Sequence, residues 1–139
     1  MKSPLAGLSK FDFIGVLLLR IGVGALLAFH GYPILTGGGT VWADVGEGAA
    51  IASLPANFFE YAGLASGIVQ FLGGILLIIG MFTRGTALLL TVIVGFALAN
   101  HIAASSFQLS FLAHLQMTLA LLGLVFIGPG RLSLDRKGI

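Results

Sequence analysis

Four apolar runs, at about 13–35, 59–81, 86–103 and 111–127, constrain this chain more than any other feature. A hydrocarbon layer of about 30 Å is crossed by roughly 17–25 apolar residues in a helix, and each run falls in that range. Charges lie almost entirely between the runs. With seven Lys and Arg and five Asp and Glu among 139 residues, and a mean hydropathy of +1.08, a soluble globule would have too little charge for its surface. Inside a bilayer the backbone must satisfy itself as helices or as a closed barrel, and runs this long are helical. The sequence therefore predicts an all-α, integral membrane four-helix bundle forming a single domain over 1–139, multi-pass, in an inner (plasma) membrane and not an outer one.

Local signals mark the ends of the runs. Lys10 and Asp12 open the first, and Gly31 and Pro33 are expected to disturb it near its far end. Lys2 and Lys10 resemble the start of a signal peptide, but the apolar run is too long and no A-x-A site follows. The turn Phe82-Thr83-Arg84-Gly85 separates the second and third runs, and Gly128-Pro129-Gly130 stops the fourth before a polar tail, Arg131 to Ile139. Lys2, Lys10, Arg84, Arg131, Arg136 and Lys137 all fall on one side of the predicted topology. The opposite loops, Thr36 to Phe58 and Ser105 to Ser110, hold no Lys or Arg, so the positive-inside rule predicts that both termini are cytoplasmic. The longer outer loop is apolar enough to lie on the bundle or in the interface, with Trp42 as its anchor. A pI of 9.4 thus reads as topology, and nothing suggests a nucleic-acid partner. The chain has no cysteine, which excludes disulfides, thiolate metal sites and iron–sulfur clusters built from it alone.

Many of the 21 glycines lie inside the runs, where small residues let helix backbones approach. Gly63, Gly67, Gln70 and Gly74 form one stripe at spacings of four, three and four, and Arg20, Gly24, Leu27 and Gly31 form another. Polar side chains at membrane depth need a partner or a function. Arg20, about 10 Å in from the start of its helix, either snorkels to the head groups or binds an anionic or carbonyl group. Gln70 either bonds between helices or, across the bundle, accepts from Arg20. His30, Asn100, His101, His114 and Gln116, with Glu60, gather near the outer interface on four helices, as expected of a pocket opening outward. His30, Gln70, Asn100, His101, His114, Gln116 and Arg20 are the candidate ligand-binding residues; no catalytic residue is predicted. His114 and Gln116 point to nearly opposite faces of their helix, so only one of them is expected to enter the bundle. Three histidines at one level invite a metal or b-type haem, but no H-x-x-x-H or E-x-x-H pair occurs, and no metal site is predicted.

The run Gly73-Gly74-Ile75-Leu76-Leu77-Ile78-Ile79-Gly80-Met81-Phe82-Thr83-Arg84, the segment Phe29-His30-Gly31-Tyr32-Pro33 after Arg20, and the ending Gly128-Pro129-Gly130-Arg131-Leu132-Ser133-Leu134-Asp135-Arg136 resemble the DoxX family of small four-helix membrane proteins. The resemblance implies a compact four-helix bundle and a link to quinone or thiol redox systems, since relatives include a subunit of thiosulfate:quinone oxidoreductase and proteins tied to oxidative or quinone stress. It implies no established catalytic residue. Members often carry a glutamate before the paired glycines of the second span, and some carry another after a histidine in the fourth. This chain has Gln70 and Gln116 there, so any proton step that those carboxylates perform in relatives is not available here in the same form.

Three functions follow as expectations. One is a quinone-interacting membrane subunit of an oxidoreductase, with quinone as bound ligand, no built-in redox centre and a redox partner subunit supplying electrons. A second is a non-catalytic scaffold or assembly protein whose glycine faces support a homo-oligomer. The third is a small-molecule carrier for an amphipathic compound. The lipid membrane is the one partner common to all three.

Overall fold

Apolar segments that must satisfy their own backbone form helices, and the computed structural model, which describes residues 6–135, is all-helical among them. Helix α1 covers Asp12–Thr36, α2 Gly39–Glu47, α3 Phe59–Ile79, α4 Thr83–Ala103 and α5 Leu109–Ile127. All but α2 are long and apolar enough to cross a membrane, giving four candidate spans. Only 11% to 33% of the residues in these spanning windows are buried inside the protein, so most of their surface is left for lipid. Phe29 and Phe126, 82% and 81% exposed, lie on such surfaces.

The boundaries differ from the sequence expectation in informative ways. Pro33 does not interrupt α1, which continues to Thr36. Proline removes one N–H from the ladder, and in an apolar medium breaking the helix there would orphan several more groups. Helix α3 ends at Ile79 because Gly80 adopts φ +75°, a left-handed conformation that suits glycine; the N–H groups of Gly80 and Met81 both donate to the Leu76 carbonyl. Helix α4 starts at Thr83, earlier than expected, because Asp135 caps it from the far end of the chain. The N–H of Phe82 donates to Asp135 Oδ1 at 2.6 Å and that of Thr83 to Oδ2 at 2.7 Å.

Both small-residue stripes are buried. They bring α1 and α3 together so closely that a methyl group on Gly24 would lie 2.5 Å from the Gly74 carbonyl oxygen. The segment between α1 and α3 lies on the bundle as helix α2, whose Trp42 backbone rests directly on Gly63. Trp42 anchors it further by donating from Nε1 to the Ile34 carbonyl at 2.7 Å. Around the bundle α1 packs on α3, α3 on α4 and α4 on α5, whereas α1 and α5 touch only sparsely. Val23, Leu27, Leu77, Leu90, Leu121 and Leu124 form the core between them.

One end of the bundle is tied shut. Arg20, 2% exposed, donates to the carbonyls of Pro129, Leu132 (2.8 Å) and Ile78 (3.3 Å), so one guanidinium joins α1 to the end of α3 and to the segment after α5. Asp135 completes the tie, its N–H donating to the Gly80 carbonyl at 3.0 Å. Burial pushes the Asp135 carboxyl up, but hydrogen bonds from Thr83 and Phe82 and the charge of Arg20 outweigh it and hold the group below its ordinary value. Lys10, Arg84 and Arg131 lie at this same end, Arg131 over the Phe13 ring at 5.9 Å and Arg84 against Gly128. Lys2, Arg136 and Lys137 lie outside the described residues.

Arg20→Met is expected to destabilise the protein by about 3 kcal/mol, since a hydrogen bond to a charged group contributes about 1.5–3 kcal/mol. Asp135→Asn is expected to cost about 1 kcal/mol, as the loss of a charged helix cap does. Because the folded carboxyl lies below its unfolded value, its stabilisation is complete above the ordinary carboxylate range and disappears as pH falls through the folded value. Melting temperatures in detergent between about pH 7 and about pH 3 should therefore fall more steeply for the wild type than for Asp135→Asn.

Candidate functional site

At the other end the helices diverge around a cavity of about 1450 Å³. Its walls are apolar, from residues such as Leu26, Phe29, Val94, Phe96 and Met117, and its polar residues cluster toward the end that carries α2. Helix α1 contributes His30, α3 Ser66 and Gln70, α4 Asn100 and His101, and α5 His114 and Gln116; Asp44 and Glu47 of α2 stand at the rim.

Small local bonds hold the polar groups in place. Gln70, 6% exposed, donates from Nε2 to Ser66 Oγ at 2.9 Å, one helical turn back. Asn100 donates from Nδ2 to the Gly48 carbonyl at 2.7 Å and thereby ties α4 to the turn that follows α2. His114 Nδ1 lies 2.6 Å from the Ser110 carbonyl, again one turn back, and His101 Nδ1 lies 3.1 Å from Ser106 Oγ. The rings of His101 and His114 are tilted by 44° with centroids 5.1 Å apart. His30 reaches the same cavity from α1. Among the described residues no three His, Cys, Asp or Glu side chains are arranged to hold a metal ion.

The structure brings six of the seven sequence-predicted residues to this cavity: His30, Gln70, Asn100, His101, His114 and Gln116. Arg20 is not among its lining, being engaged by carbonyls at the closed end. Nor does Arg20 reach Gln70. The antiparallel register sets Gly31 against Gln70 and Arg20 beside Ile78, about 12 Å farther along α3 at 1.5 Å per residue. Both His114 and Gln116 border the cavity despite their opposite faces, because α5 flanks the space with little of α1 against it. Glu60 stands apart, with its carboxylate beside Gly39 at the start of α2. Sequence reasoning passed over Asp44, Glu47, Ser66, Ser106 and Ser110. The four-residue spacing of Ser66 to Gln70 and Ser110 to His114 was the signal for two of them.

The cavity also opens sideways. Leu18, Gly22, Leu26 and Phe29 of α1 and Ala113 and Gln116 of α5 are exposed, yet all line it, which places a lateral gap between these two helices. A Cβ added at Gly22 would meet nothing within 4 Å. A ligand dissolved in the membrane therefore has a route to the polar cluster that need not pass through water.

A family model described as DoxX matches residues 15–114, from the first turns of α1 to His114. No curated protein and no solved structure matches the chain.

Gly22→Phe should occupy the lateral gap without a clash and leave the melting temperature near that of the wild type. In a chain without native cysteine, Ala97→Cys on the cavity wall provides a single reporter. Its reaction with a membrane-soluble maleimide is expected to slow several-fold when Gly22→Phe is added; an unchanged rate would mean that the gap is not the route of access.

Proposed function

The chain belongs to the DoxX family, and from that premise we propose that it is a redox-associated membrane subunit that takes a quinone-type ligand into its outer cavity. The observation that carries this reading is the cavity itself. Its volume of about 1450 Å³ exceeds the roughly 300–1,000 Å³ of ordinary small-molecule pockets, and its apolar walls end in a cluster of histidine and amide side chains. A ring with two polar oxygens and an apolar tail matches that division of chemistry. The chain has no cysteine with which to build a thiol or iron–sulfur centre, so electrons would pass to or from a partner subunit.

The basic residues Lys10, Arg84 and Arg131 at the closed end, with Lys2, Arg136 and Lys137 near the chain termini, support a cytoplasmic position for that end in an inner membrane. The cavity then faces the outer leaflet. Single cysteines at Gly85 and Ser105 test this: an impermeant maleimide added to whole cells should label Ser105→Cys and spare Gly85→Cys.

A scaffold function is favoured by a different observation, that Gln70, Asn100, His101 and His114 each make a bond within the protein. The two readings part on purification in mild detergent. Under the quinone reading, solvent extracts of the wild type contain quinone by mass spectrometry, and Gln70→Ala or His30→Ala lowers the amount about tenfold, the equivalent of one buried hydrogen bond at about 1.4 kcal/mol. A stable wild type that retains no quinone, with both variants equally stable, supports the scaffold instead.

A further inference from the structure

Of the seven polar side chains that the spanning helices bring to the cavity, five already share in a hydrogen bond within the protein: Ser66 with Gln70, and Asn100, His101 and His114. His30 and Gln116 make none among the described residues. Both are exposed, and they stand on the two helices that border the lateral gap, His30 on α1 and Gln116 on α5. Their depth is nearly the same. His30 lies six residues before α1 ends at Thr36, and Gln116 seven residues after α5 begins at Leu109. At 1.5 Å per residue these are about 9 Å and about 10 Å from the same end of the bundle. Small neighbours leave Gln116 uncovered, with Ala113 three residues before it and Ala120 four after it along the same face. Helix α5 is about 28 Å long, so an amide at this depth is too far in to reach the head groups on its short side chain. Hydrocarbon offers it no partner, and the unmade bonds are costly. Where such a group borders a cavity open to lipid, its partner is expected to arrive from the lipid.

We infer that His30 and Gln116 form a capture pair across the lateral gap, which holds the ligand's ring by its oxygen nearer the lipid and leaves the tail in the bilayer. This rests on the quinone-type reading proposed above and specifies where the head group is held and by what. A quinone oxygen only accepts, and it has two lone pairs. The Gln116 amide offers two N–H donors and a neutral His30 imidazole offers one, so a single oxygen can be met from both helices. The ring's other oxygen then points inward, toward Gln70 and Ser66. There Gln70 keeps one amide hydrogen after donating to Ser66, and Ser66 keeps its hydroxyl hydrogen. The tail never leaves hydrocarbon. Cavity wall and lipid chain are equally apolar, so the length of the tail adds nothing to binding.

The test uses the full-length chain carrying Ala97→Cys as parent, in lipid nanodiscs, with a ubiquinone analogue bearing a ten-carbon tail as probe. Protection of the cysteine from a membrane-soluble maleimide reads occupancy. Gln116→Leu and His30→Phe are each expected to raise the half-protecting amount of analogue per lipid about tenfold, the loss of one hydrogen bond. Without the analogue, Gln116→Leu should melt at or above the parent's temperature, because it removes an unpaired amide from hydrocarbon; Gln116→Met carries the same two expectations. An analogue with a tail of several isoprene units should protect at the same amount per lipid as the ten-carbon one. Parental protection in both Gln116 variants overturns the capture pair and leaves the quinone-type reading standing. A lowered melting temperature in both overturns it as well, since Gln116 would then be structural, and so does protection that varies with tail length. No protection of the parent by either analogue overturns the quinone-type reading and the capture pair with it.

Discussion

A guanidinium inside a bilayer must find its acceptors within the protein or at the head groups, since the surrounding hydrocarbon offers none. Arg20 finds three, all backbone carbonyls where helices have run out of their own partners: Ile78 near the end of α3, and Pro129 and Leu132 after α5. The charge and the orphaned carbonyls answer one another. Removing either side would leave the other buried and unpaired, so the interaction serves less as an increment of stability than as a condition for these helices to end where they do. Gly80 is part of the same condition, because a side chain there would lie within 2.7 Å of the guanidinium.

Closure at one end permits opening at the other. Asp135 and Arg20 fasten the chain's last described segment across the starts and stops of α1, α3 and α4, and α1 has little further contact with α5. Helix α3, pressed to α1 and α2 through its glycines, supplies the rigid wall. The halves of α1 and α5 away from this tie are then free to stand apart, held at a distance by α3 and α4. A bundle with this few buried residues cannot enclose a large space by core packing alone; tying one end tightly lets the other stay open without coming apart.

How much of this the sequence discloses depends on the range of the interaction. The stripes Gly63, Gly67, Gln70, Gly74 and Arg20, Gly24, Leu27, Gly31 are legible because helical periodicity is local, and every one of these residues is buried. The shared depth of His30, Asn100, His101 and His114 follows from helix length and antiparallel order, so their meeting at one cavity is also near the surface of the sequence. The partners of Arg20 are not. They are backbone groups more than 50 residues away, and carbonyls carry no residue signature. Helix α2 is obscured for a different reason: Gly37-Gly38-Gly39 and Gly46 read as loop, although Gly46 is there so that α2 can lie against the Phe59 backbone.

Internal pairing of the polar cluster bears on the choice between ligand site and scaffold in a way that simple satisfaction does not. A buried polar group bonded inside the protein is usually taken as structure, and its bond as the reason it is there. Yet Asn100 and His114 are bifunctional, and a bond that consumes one function fixes the identity and direction of the other. Beside a filled core that second function would be wasted or costly. Beside a cavity of about 1450 Å³ reached from the membrane, it is a preset lone pair whose ordering has already been achieved by the fold. A ligand that meets it therefore loses less freedom in binding than one that must first arrange the side chains.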